Sequence, residues 1–124
     1  MASTERRGPR QVYAAFKWSM KGLKACYQYE ASFRSEVFLS IVVIPLGLWL
    51  GNGAVEKIIL ITFPVLVMAA ELLNSAIEAV VDKVSPEFDE LAGRAKDMGS
   101  ASVFLLLMMI LVSWGLILVP RFLG

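Results

Sequence analysis

The 124-residue sequence has no histidine, one cysteine and few charges, Lys, Arg, Asp and Glu together making 19% of it. Without histidine there is no imidazole general base, no Ser-His-Asp triad and no His-ligated zinc. Cys26 can form neither an intrachain disulfide nor a cysteine metal cluster, and reads as a small buried apolar residue. The Gly-x-x-x-x-Gly-Lys-Ser/Thr phosphate loop is missing, as are the signatures of soluble kinases. Net charge is +1, and no basic face accompanies the apolar load, so nucleic acid is not an expected partner.

What is present is apolar. Hydrophobic residues make 57% of the chain before glycine is counted, against about 45–50% with glycine in soluble domains. They concentrate in four stretches, 37–50, 58–70, 72–81 and 101–119. A single domain of this size cannot hide so much continuous apolar surface from water. The sequence predicts an all-α membrane protein with three spans, at about 33–50, 56–81 and 99–119. Pro45 and Pro64 are candidate bends, Gly51-Asn52-Gly53 a tight turn, and Pro120 a stop. Residues 87–98 read as a polar connection, partly helical. Residues 1–9 have no apolar core and read as a frayed tail rather than a signal peptide.

Ahead of the first span, Val12, Phe16, Met20, Leu23 and Tyr27 recur at helical spacing, with Lys17, Lys21 and Lys24 flanking them. This predicts an amphipathic surface helix over about 10–29, lying in the membrane interface. Residues 1–36 carry seven of the twelve Lys and Arg, and Lys83, Arg94 and Lys96 follow the second span. The excess of positive charge places the N-terminus and that connection in the cytoplasm.

The chemistry concentrates on the second span. At about 100° per residue, Glu71, Ser75, Glu78 and Asp82 share one helical face, with Asn74 beside them. Carboxylates inside a span cost roughly 2.5–3.5 kcal/mol each, and apolar packing gives no reason to retain them. Glu30, Arg34, Glu36, Arg94, Lys96 and Asp97 are expected on the same side of the membrane. Glu30, Glu71, Glu78 and Asp97 without histidine suit a hard cation such as Mg²⁺, and Lys96 with Arg94 suits phosphates. Together they point to phosphoryl transfer, which depends on positioning and charge neutralisation. A proton-coupled transporter and a structural subunit remain alternatives, separable by nucleotide dependence. Three spans cannot surround such a stripe, so sites shared between protomers are expected.

The runs Glu71-Leu-Leu-Asn-Ser-Ala-Ile-Glu-Ala-Val-Val-Asp82 and Gly93-Arg-Ala-Lys-Asp-Met-Gly-Ser-Ala101 closely resemble the bacterial diacylglycerol kinase family. Lys21-Gly-Leu-Lys24 and Glu30-Ala-Ser-Phe-Arg34 match as well. The resemblance implies a homotrimeric helical bundle in the bacterial inner membrane, multi-pass, each chain having three spans and a surface helix. It implies transfer of the γ-phosphate of ATP to diacylglycerol, giving phosphatidic acid and ADP, with Mg²⁺ as cofactor. An undecaprenol kinase of the same fold is the alternative. By matching positions, Glu71 is implied as proton acceptor, with Asn74 orienting it or a phosphate. Glu30 and Glu78 are implied as metal and ATP ligands, and Glu87, Lys96 and Asp97 as nucleotide contacts. Ser32, Phe33, Arg34, Ser35, Glu36, Trp49, Glu71, Ser100 and Trp114 map to the lipid-substrate surface. The chain departs from the family at Phe88-Asp89, where Tyr-His is usual, and at Ser35, where glutamine is common.

Overall fold

The computed structural model describes residues 8–123, and the expected frayed tail lies, up to residue 7, outside them. The described residues form four helices: α1 (Pro9–Tyr29), α2 (Ala31–Leu50), α3 (Gly53–Val84) and α4 (Glu90–Leu123). The last three are each long and apolar enough to cross a membrane. At about 1.5 Å per residue, α3 and α4 run to roughly 48 and 51 Å, well beyond a ~30 Å hydrocarbon layer. Their polar ends, carrying Asp82 and Lys83 on one and residues 90–98 on the other, therefore project past it.

Local chemistry sets the breaks. Proline at N1 starts α1, where its missing N–H costs nothing. Glu30 is extended and ends it, and the Arg34 guanidinium donates to the carbonyls of Tyr27 (2.7 Å) and Gln28 (2.9 Å). These are orphan carbonyls of the last turn of α1, so Arg34 caps one helix from the first turn of the next. Gly51 and Asn52 alone join α2 to α3, and Gly53 adopts φ +79°, which a residue with a side chain avoids. The Asn52 N–H donates to Glu56 Oε1 (2.9 Å), satisfying the start of α3.

The polar stretch after Pro86 is more regular than its composition predicts. Asp89 Oδ2 accepts the Ala92 N–H (3.0 Å) and Asp89 O accepts the Gly93 N–H (2.9 Å). Asp89 thus caps α4, and residues 90–98 are its first turns rather than a connection. Pro120 does not stop this helix, which runs on to Leu123. Proline removes one donor, and so near the terminus few further bonds depend on it.

Helix α3 is central, packing on α2 along one side and α4 along the other, with α1 lying against α2 and α3. The core is narrow: Leu60, Pro64 and Val67 are fully enclosed, and Val67, Ala70 and Val103 form a cluster flanked by Leu106, Leu107 and Ile110. Large apolar side chains such as Phe38, Ile41, Leu105, Leu111 and Leu116 face outward. Hydroxyls inside the spans bond back to their own helices: Thr62 to Ile58 O, Ser102 to Gly99 O and Ser113 to Ile110 O. An outward apolar surface with internally satisfied polar groups is what a bilayer demands.

Candidate active site

The polar stripe of α3 faces inward at its upper half. Glu71 and Asn74 are buried, at 6% and 7% exposure, and Ser75 and Glu78 are half-buried. The Asn74 amide nitrogen sits between the carboxylates one turn before and after it, 3.5 Å from Glu71 Oε1 and 3.3 Å from Glu78 Oε1. An amide with two N–H donors can serve both.

Opposite this stripe the chain leaves a cavity of about 430 Å³. It is lined by Glu30 at the α1–α2 junction, Ser32 and Glu36 of α2, Glu71, Asn74 and Glu78 of α3, and Ser100 of α4, with Val103, Phe104 and Leu107 as an apolar wall. Glu36 and Glu71 both line it, and Glu36 Oε2 is buried with no partner. Carboxylates gathered on one cavity repel one another, and a cation among them would relieve that repulsion. The donor set is all oxygen, which fits a hard cation such as Mg²⁺. Among the described residues no three His, Cys, Asp or Glu converge tightly enough to hold a metal alone. A cation here would complete its shell with phosphate or water oxygens, as Mg²⁺ commonly does.

A second, smaller cavity of about 130 Å³ lies towards the end of α3. Asp82, Glu87, Phe88, Asp89, Gly93 and Lys96 are among the residues lining it. Lys96 Nζ is 2.5 Å from Asp82 Oδ1, and both side chains are substantially exposed, so the pair adds little stability and its ammonium stays available to an anion. Phe88 stands 93% exposed on the loop. Asp97 is exposed on α4.

Seven expected site residues thus meet at one cavity: Glu30, Ser32, Glu36, Glu71, Asn74, Glu78 and Ser100. Glu87 and Lys96 line the second. Phe33 is buried in packing, Arg34 is the helix cap described above, and Ser35 is exposed. Trp49 and Trp114 are not brought to the cavity, lying roughly 20 Å beyond Glu36 on α2 and roughly 10 Å beyond Leu107 on α4 by residue rise. Trp49 is 78% exposed, whereas the Trp114 indole N–H donates to Leu60 O (3.2 Å).

Two contacts have no signal in the sequence. Cys26 Sγ donates to Ser75 Oγ (3.6 Å), tying α1 to the stripe. Burial pushes the Cys26 thiol up, and the carboxylates of Glu30, Glu71 and Glu36 add to this against the opposing Ser75 bond. Gly99 lies directly across from Asn74. No spacing rule signals either, because both are contacts between distant helices.

Residues 17–118 match the model of the family described as prokaryotic diacylglycerol kinase. A protein of Haemophilus influenzae named diacylglycerol kinase is 51% identical over 102 residues, covering 82% of this chain and 86% of its own. One of Escherichia coli K12 with the same name is 41% identical over 115 residues, covering 93% and 94%. One of Pseudomonas aeruginosa, also so named, is 42% identical over 111 residues, covering 90% of each.

Proposed function

The chain belongs to the prokaryotic diacylglycerol kinase family, and from that premise we propose that it transfers the γ-phosphate of ATP to the free hydroxyl of diacylglycerol, giving phosphatidic acid and ADP. The observation that carries this reading is the convergence of Glu30, Glu36, Glu71, Asn74 and Glu78 from three elements on one cavity with an apolar wall. Such a cavity offers a lipid hydroxyl an oil-lined approach and offers phosphates a cation site.

Glu71, the most buried carboxylate, takes the proton from the acceptor oxygen as that oxygen attacks the γ-phosphorus. Asn74 fixes Glu71 relative to Glu78 through its two donors. Glu78 lies seven residues further along α3, roughly 10 Å by helical rise, and with Glu30 would hold Mg²⁺. When bound, that ion supplies neutralisation of the phosphate charge. Lys96 leaves Asp82 for the phosphates, and Glu87 and Asp97 contact the nucleotide. Ser32, Phe33, Arg34, Ser35, Glu36, Ser100, Trp49 and Trp114 form the surface along which the lipid lies. The basic N-terminal third supports a location of α1 and this end of the bundle at the cytoplasmic face of the inner membrane, with α1 in the interface. Homotrimer formation completes the open side of the cavity, so that protomers share sites.

The test is transfer from γ-labelled ATP in lipid–detergent micelles with Mg²⁺, offering diacylglycerol and undecaprenol separately. Labelled phosphatidic acid is the expected product. Product from undecaprenol alone would change the acceptor, and product from neither lipid, from a folded oligomer, would overturn the reading.

A further inference from the structure

The buried oxygen of Asn74 makes no hydrogen bond. Leaving an amide oxygen unpaired inside a protein costs free energy, so something must hold the side chain in that pose. On one side, its nitrogen reaches Glu71 and Glu78. On the other, its oxygen fills the space that a side chain at Gly99 would occupy: a methyl there would overlap Asn74 Oδ1, and would lie 3.3 Å from Cγ and 3.7 Å from Cα. We propose that Gly99 is a positioning residue for phosphoryl transfer: by lacking a side chain it seats the Asn74 amide against α4, which holds Glu71 and Glu78 in register.

Adding a methyl at Gly99 leaves Asn74 few escapes. Flipping the amide puts an equally large NH₂ group where the oxygen was, and takes both donors from the carboxylates. Parting α3 from α4 is resisted one turn deeper in the bundle. Ala70 lies one turn before Asn74 and Val103 one turn after Gly99, and both belong to the buried cluster. The Asn74 side chain must therefore rotate away, and its nitrogen leaves Glu71 and Glu78. Gly99→Ala should raise helix propensity on α4, so a loss of activity would not reflect a poorer helix. Gly115→Ala makes the same change on the same helix, where an added methyl meets nothing within 4 Å.

The inference rests on the kinase reading, and the experiment keeps the two apart. The full chain is labelled with ¹⁵N-asparagine, which reports only Asn52 and Asn74, and is assayed in the same micelles. Gly99→Ala is expected to lower kcat about 10- to 100-fold, the scale of an ångström-sized misplacement. The KM values for ATP and lipid should stay within about twofold, since bulk binding is not removed. The Asn74 side-chain resonances should shift while those of Asn52 hold, and Gly115→Ala should change neither rate nor spectrum. An unshifted Asn74 amide or an unchanged kcat in Gly99→Ala would overturn the proposal. If Gly99→Ala fails to assemble, the Asn74→Ala/Gly99→Ala double variant, which removes the overlap, should assemble, and its failure to do so would also overturn it. An inactive wild-type chain would remove the kinase reading, and the amide resonances would still decide whether Gly99 seats Asn74.

Discussion

Pro64 lies inside α3 and has no N–H, so the carbonyl of Leu60, four residues earlier, loses its helical partner. Leu60 is fully enclosed, and water does not replace that bond. The Trp114 indole N–H donates to this same carbonyl from α4 at 3.2 Å. Bilayer helices tolerate proline when a neighbouring helix satisfies the freed group in this way. Trp114→Phe removes this donor together with part of the indole bulk, a packing loss shared by both arms of a double-mutant cycle. The cost of the orphaned carbonyl is about 1–3 kcal/mol on soluble-protein scales, and bonds between membrane helices average about 0.6. The expected destabilisation is therefore about 1–2 kcal/mol. Pro64→Ala restores a backbone N–H to the same carbonyl, so Trp114→Phe should cost much less in that background. A double-mutant cycle of reversible unfolding by SDS in mixed micelles measures this. An equal cost of Trp114→Phe in both backgrounds would refute the exchange of one donor for another.

Asp89→Ala removes the cap of α4 and should destabilise by about 1 kcal/mol in the same assay, while Asp89→Asn should cost little. Arg121 joins α4 to the α2–α3 turn, donating to Leu50 O and Glu56 Oε1, each at 2.6 Å. Arg121→Gln should lower the melting temperature, and adding Glu56→Gln should lower it little further; additive losses would dissolve the clamp. Cys26 is buried and its thiol pushed up, so it carries less thiolate at mildly alkaline pH than a free thiol. Maleimide should label it at least about tenfold more slowly in the folded protein than after SDS unfolding, and equal rates would contradict the packing of α1 on Ser75.

The three spans were legible because apolar runs of such length have no other physical use. The stripe from Glu71 to Asp82 was legible because helical period alone puts its members on one face; Glu36 was expected on the same side from its place before the first span, and Ser100 joined through resemblance. The start of α4 was hidden by composition: residues 90–98 are polar enough to read as a connection, yet Asp89 supplies the cap that makes them helical. Pro120 reads as a stop only where further turns depend on the bond it removes. The Trp114 bond was hidden because nothing in its neighbourhood announces that a proline on another helix has freed a carbonyl. Gly99 lay inside a recognised run with no visible task, since what it does depends on an asparagine 25 positions earlier.

The central claim is that the buried carboxylate cavity performs the phosphoryl transfer. Its most direct measurement is the initial rate of labelled phosphatidic acid formation by Glu71→Gln, beside the wild-type chain and with assembly checked in the same micelles. A general base contributes about 10²–10⁴-fold, so the variant should fall at least about a hundredfold while the fold stays intact. A folded Glu71→Gln protein that retains near-wild-type turnover would contradict the account.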